Sequence, residues 1–271
     1  MSRIRQPAVA GAFYPGQREV LATDLRAMLQ AAALAPAQGQ TVPKAIIVPH
    51  AGYVYSGSTA ALAYVRLAPA RKTIRRVVLL GPVHRVPVRG LALPGVETFA
   101  TPLGDIAIDA QAVAAIAGLP QVVVSPQAHA LEHSLEVQLP FLQSVLDDFK
   151  LVPLAVGDAT PTEVAQVLDA LWGGTDTLLV ISSDLSHFLP YARAQAVDHE
   201  TVQRILALDG SLSHSQACGG TPVNGLLLAA RQHQLEPQLL GLRNSGDTAG
   251  DRNRVVGYAS IAFVQRPSHV H

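Results

Sequence analysis

Cysteine is almost missing from this chain: 271 residues include one, Cys218. An internal disulfide is thereby excluded, and a lone thiol fits a reducing cytoplasm. Charge is also scarce, at 15% of residues, and it balances, with 20 basic and 20 acidic side chains. The longest basic run, "RKTIRR", has no aromatic residues interleaved with it, so the footprint of a nucleic-acid binder is lacking. No apolar run approaches the ~18 residues that a membrane-spanning helix needs. The N-terminal "MSRIRQPAVAGAFYPG" carries no apolar stretch of signal-peptide length. The expectation is a cytoplasmic protein with neither nucleic acid nor membrane as a partner. Aromatic residues reach only 5%, so the core must be built from Ala, Val, Leu and Ile.

What is present is apolar and periodic. Hydrophobic residues make up 49% of the chain, which excludes disorder as its dominant state. Strand-like runs "KAIIVP", "RRVVLLGP", "QVVVS", "KLVPLAVG" and "DTLLVISS" alternate with amphipathic stretches such as "REVLATDLRAMLQAAAL", "PTEVAQVLDALW" and "PVNGLLLAARQHQ". A helical stretch is also expected around "LEHSLEVQLPFLQSVL", and two late strands, "PQLLGLRNSG" and "RVVGYASIAFV", close the fold. Near-continuous Val/Ile/Leu strands point to a sheet buried on both faces. No internal linker divides the chain and no repeat is visible. The reading is one α/β domain over residues 1–271, with a mostly parallel central sheet, helices on both faces and a short polar tail at 265–271.

In open α/β sheets, ligands bind beyond the carboxyl ends of the strands. Three of the most hydrophobic strands here run into a histidine: "AIIVPH" at His50, "VVLLGPVH" at His84 and "LLVISSDLSH" at His187. Any one of them alone reads as a hydrogen-bonded loop histidine, whereas three parallel strands would bring all three to one edge. Cys218 lies in "ACGGTPVNGLLLAA", just ahead of a helix that Thr221 and Pro222 are expected to begin. The dipole of that helix would favour its thiolate. Two imidazoles and a thiolate make a three-ligand metal site with open positions, suited to Fe, Cu or Zn rather than Mg or Ca. The alternative for Cys218 is a small buried hydrophobe. Asp184 would orient His187 or contact a metal-bound group, or else simply form a turn. Tyr53 would donate into the site or pack.

"HALEHSLEVQ" sets His129, Glu132 and His133 in the order H-x-x-E-H, the inverted form of a zinc-peptidase motif. No third ligand accompanies it, so a zinc-dependent hydrolase or peptidase is the minor reading. Asp198, His199 and Glu200 are expected on a solvated helix face, and His233, His269 and His271 on the surface.

Taken in order, "PAVAGAFYPG", "PHAGYVYSG", "GPVH", "EHSLEVQLPFL", "VGD", "SSDLSHF" and "CGGTPV" resemble the Memo family, the protein B component of AmmeMemoRadiSam systems, over residues 5 to 264. That family is similar in fold to class III extradiol ring-cleavage dioxygenases, which hold non-heme Fe(II) with two His and a carboxylate. The resemblance implies His50 and His84 as histidine ligands and Cys218 in place of the carboxylate. It implies His187 as acid/base, Asp184 beside it, and Glu132 and His133 in a pocket wall. The expected function is a metal-binding protein, Fe(II) favoured and Cu or Zn the alternatives, acting as a dioxygenase-like oxidoreductase on a small molecule. Its alternative is a catalytically silent metal- or peptide-binding protein that uses the same pocket. A functional link to a radical-SAM enzyme and an AMMECR-type protein is implied as well. The thiolate departs from the dioxygenase pattern, being softer and more oxidisable than a carboxylate.

Overall fold

A computed structural model describes residues 4–34 and 41–266. His269, His271 and the end of the polar tail lie outside the described residues. The chain begins with β1 (Ile4–Arg5), α1 (Arg18–Ala33), β2 (Ala45–Val48), α2 (Tyr53–Tyr64) and β3 (Arg76–Pro82). The section rich in Pro and Gly supplies the short strands β4 (Leu91–Leu93), β5 (Thr98–Thr101) and β6 (Gly104–Ala107). Next come α3 (Ala110–Ile116), β7 (Val122–Val124), α4 (Pro126–Ala130), α5 (Leu139–Val145) and β8 (Lys150–Val156). The chain continues through α6 (Pro161–Ala170), β9 (Thr177–Ser182), β10 (His187–Leu189) and α7 (Tyr191–Leu206). It closes with α8 (Gly220–Gln232), β11 (Leu235–Asn244) and β12 (Val255–Gln265).

The large sheet has the order β10-β12-β2-β9-β3-β8-β4-β7, with β11 also paired to β12. Strands β2, β9, β3 and β8 are mutually parallel and form its centre. The flanks differ from the mostly parallel expectation: β12 runs antiparallel to β2, and β4 antiparallel to β8. Hairpin-like returns need no crossover helix, and the long β11–β12 pair is of this kind.

Alternation along the central strands divides the core in two. Ile46, Val48, Val77, Leu79, Leu178 and Val180 face α1, α2 and α5. Ala45, Ile47, Val78, Leu80, Leu179 and Ile181 face α3, α6, α7 and α8. Helices therefore cover both faces, and the central strands are buried except at Arg76 and Lys150, the first residues of β3 and β8. That burial is why their sequences read as unbroken apolar runs. No helix among the described residues is long and apolar enough to cross a membrane.

The parallel centre has one consequence for function. Strands β2, β3 and β9 all end at the same edge; the loops leaving them carry His50, His84 and Asp184, and β10, which follows β9, begins at His187.

Candidate metal centre

His50 follows β2 and is buried, 2% exposed. Its Nδ1 lies 2.9 Å from Ser182 Oγ at the end of β9. That hydroxyl donates to the Ser134 carbonyl and accepts from Gln138 Nε2, so its only proton is committed. Nδ1 of His50 must then be the protonated nitrogen, and the lone pair sits on Nε2. His84 follows β3, and its Nδ1 lies 2.9 Å from Glu132 Oε1. A carboxylate only accepts, so Nε2 of His84 also holds its lone pair outward. His187 repeats the pattern, with Nδ1 placed 2.9 Å from the Leu185 carbonyl.

The third imidazole of the cluster is His133. Ligand atoms of His50, His84 and His133 all lie within 4.8 Å of one another, and the group could hold a metal ion. Nδ1 of His133 is buried and has no hydrogen-bond partner, although Glu132 Oε1 is 3.3 Å away. The His50 and His84 rings are nearly perpendicular, at 76° with centroids 5.3 Å apart. His84 and His133 are stacked instead, at 22° and 4.7 Å.

Cys218 lies between β9 and α8, and its Sγ is 3.2 Å from His50 Nε2. The thiol therefore points at the nitrogen lone pair that a metal would use. The helix-dipole expectation for a free thiolate fails here. Burial first, and then the neighbouring Asp184 carboxylate, push the thiol up to about 12. The helix also starts one residue earlier than Thr221, with Gly219 as its cap.

Burial, with His84 and His187 close by, takes His50 down to about 3, so it is neutral at physiological pH. Burial and His50 lower His133 to about 4. Glu132 goes the opposite way from its burial. Burial raises it, but the His84 ring and the amides of His84 and Ser134 outweigh this and hold it at about 2.

Asp184 does not orient the His187 ring. Its Oδ1 accepts the His50 backbone N–H at 2.7 Å, which fixes the loop on which His50 sits. Burial, partly offset by that bond and by His187, raises its pKa. Tyr53 opens α2, and its hydroxyl donates to the Val137 carbonyl, so it packs rather than serving the site.

The expected helix over "LEHSLEVQLPFLQSVL" is broken. α4 ends at Ala130, and a short 3₁₀ turn at Glu136–Gln138 leads into α5. Between them, the Glu132 carboxylate takes the amides of His133 and Ser134, each at 2.9 Å, which an uninterrupted helix would need. The H-x-x-E-H residues therefore share no helix face. His129 Nε2 is 2.7 Å from the Ala92 carbonyl, away from the cluster, and only His133 joins it. That removes the geometric basis of the peptidase reading.

Sequence reasoning missed two supports. Glu136 is fully buried and accepts from Arg5, the amides of Ala8 and Val9, and the Tyr14 hydroxyl. Arg5 also donates to the carbonyls of His129 and Glu132. The N-terminal segment is thereby strapped to the loop that carries Glu132 and His133, and it lays Phe13 against the His133 ring at 4.7 Å. Asp198 was expected on a solvated face, yet it is 2% exposed and its Oδ1 accepts the Ser186 amide at 3.0 Å. Strand β12 makes room for it at Gly257, where a Cβ would meet Asp198 Oδ2 at 2.0 Å. His233 is half-buried and stacked on Trp172 at 3.6 Å rather than freely exposed.

With the fold and cluster in place, comparison with known proteins gives a family. A family model described as Memo-like protein matches residues 5–262. A MEMO1 family protein of Archaeoglobus fulgidus is 36% identical over 96% of this chain and 99% of its own. One from Aquifex aeolicus is 35% identical, covering 97% of this chain and all of its own. The crystal structure of an uncharacterized Escherichia coli protein aligns with a TM-score of 0.48 at 17% identity, covering 80% of this chain and 98% of that one. The chain belongs to the Memo family.

Proposed function

We propose that this protein is a metal-dependent oxidoreductase, dioxygenase-like and favouring Fe(II), that acts on a small molecule. The observation that carries this is the convergence at one sheet edge of two imidazoles whose Nδ1 atoms are held by the protein, with a thiol 3.2 Å from Nε2 of one of them. The orphaned Nδ1 of His133 beside them marks a buried polar surface that the protein itself does not satisfy.

His50 Nε2, His84 Nε2 and Cys218 Sγ are the donors we assign to the ion. His133 is the alternative third donor. Its ligand atom lies with those of His50 and His84 within 4.8 Å, so it would hold the ion if Cys218 did not. When bound, the metal would supply Lewis-acid and redox chemistry at its open positions.

The chain's own residues do the rest. Ser182 and Glu132 fix the tautomers of His50 and His84, so neither ring must reorient. Asp184 holds the His50 backbone. His187, with Nδ1 occupied by Leu185, offers Nε2 to take a proton from the substrate or return it. Phe13 and His133 line the site and limit water.

The test is metal analysis of protein purified without chelator, followed by anaerobic Fe(II) loading and oxygen uptake with a panel of small molecules. Substrate-dependent uptake that disappears in His187→Ala while metal is retained supports the enzyme. Full metal loading with no uptake for any compound would favour the second reading, a metal- or peptide-binding protein.

A further inference from the structure

Strand β10 does not pair regularly with β12. His187 aligns with Val256 and Leu189 with Val255, so two steps on one strand answer one on the other. Phe188 is the extra residue of this bulge. Bulges of this kind re-aim a side chain and are common beside active sites. Phe188 also has φ 59°, the left-handed region that a bulky side chain rarely adopts.

The irregular backbone places the aromatic ring in an unusual position. In a regular strand, neighbouring side chains point to opposite faces. Here the Phe188 ring stands edge-on to the His187 imidazole, with centroids 5.7 Å apart. It is also 60% exposed, although it is among the most apolar side chains in the chain. A strained residue that presents an apolar ring to water has no packing rationale. The strain is held from beneath. Ser186 N–H donates to Asp198, Gly257 N–H to the Ser186 carbonyl, and Leu185 N–H to the Gly257 carbonyl.

Arg254, the residue before β12, lies over the Phe188 ring with Cζ 4.9 Å from its centroid. It is exposed, and no carboxylate or carbonyl among the described residues accepts from it. A guanidinium held over an aromatic ring and donating to no acceptor keeps its N–H groups available, and their fork matches a carboxylate.

We infer that Phe188 and Arg254 form the outer wall of the site and select a substrate with a flat apolar body and a carboxylate. The ring takes the body against the bulge while the guanidinium takes the charge, and the reacting part faces His187. This rests on the proposed reading of the histidine cluster as a small-molecule site.

The experiment titrates metal-free protein with benzoate and with its neutral isostere benzamide, following amide and histidine NMR signals. Benzoate is expected to shift the signals of His187 to Leu189 and to bind about tenfold tighter than benzamide, as one charge-assisted fork contact allows. Arg254→Gln should bring the two to equal affinity, and Arg254→Lys should recover part of the preference. Phe188→Gly should weaken both ligands without lowering the unfolding temperature, because glycine accepts this φ without strain. Equal affinities in the unaltered protein, or a benzoate preference that survives Arg254→Gln, would overturn the inference. Because no metal is present in the titration, its failure is separable from a failure to bind metal or to turn over.

Discussion

Glu132 is the carboxylate whose loss tests the site most directly. It is 2% exposed and answers four donors: the His84 ring, the His84 amide at 2.6 Å, and the amides of His133 and Ser134. Glu132→Gln keeps the shape but replaces one acceptor oxygen with an NH₂ donor. Whichever way the amide is turned, that NH₂ faces a backbone N–H. The pKa drop from 4.5 to about 2 corresponds to about 3 kcal/mol in favour of the ionised carboxylate. A depressed carboxylate contributes stability that is complete above its unfolded pKa, near 4.5, and lost as pH falls through about 2. Urea unfolding at neutral pH should therefore find the variant about 3 kcal/mol less stable. The gap should close between pH 4.5 and 2 as the unaltered protein gains its proton. Metal affinity should fall by about 10- to 100-fold, since the carboxylate also sets the His84 tautomer. A gap that stays constant across that pH range, or metal affinity that does not change, would refute the reasoning.

Other substitutions probe separate parts of the architecture. Cys218→Ser should weaken metal binding far more than it lowers the unfolding temperature, and Cys218→Asp should shift preference toward Fe(II), both read by metal content and competition titration. Unchanged affinity in the serine variant would hand the third position to His133. Arg5→Met leaves Glu136 charged and fully buried, so unfolding should show a loss of about 3–5 kcal/mol. Gly257→Ala should destabilise by more than the few tenths of a kcal/mol of a surface change, because its methyl would occupy the space of the Asp198 carboxylate. Its NMR signature should centre on Ser186 and His187.

The sheet and the edge on which the site forms were legible because both depend on local patterns. Buried parallel strands announce themselves as runs of Val, Ile and Leu, and the residue after each run falls at the carboxyl end. His50, His84 and His187 were found by that logic alone. His133 was named only through the H-x-x-E-H pattern and the family resemblance, and not as a member of this cluster, because its loop looks helical in sequence. Apolar spacing continues through "LEHSLEVQLPFL", and only the three-dimensional position of Glu132 reveals that its carboxylate captures the amides a helix would use. Asp198 failed for a similar reason. Its neighbours His199 and Glu200 are exposed, and nothing local signals that Gly257, 59 positions later, vacates the space it enters. The Arg5–Glu136 pair spans 131 positions, a separation at which single-sequence patterns carry no information.

The three strand-end histidines share one arrangement reached by unrelated means. A serine hydroxyl on β9 takes the Nδ1 proton of His50, a loop carboxylate takes that of His84, and a backbone carbonyl takes that of His187. Each choice leaves Nε2 as the basic atom. A core histidine that only needed its polar atoms satisfied could use either nitrogen, as His129 does through Nε2. Burial then lowers His50 to about 3, so its lone pair stays unprotonated at physiological pH. The thiol of Cys218 is not ready in this sense. It holds its proton up to about 12, and that S–H is directed at the His50 lone pair. A cation entering the site has to displace this proton, while His50 is already neutral. Metal uptake should therefore release the Cys218 proton and tighten as pH rises, and Cys218→Ser should lessen that pH dependence.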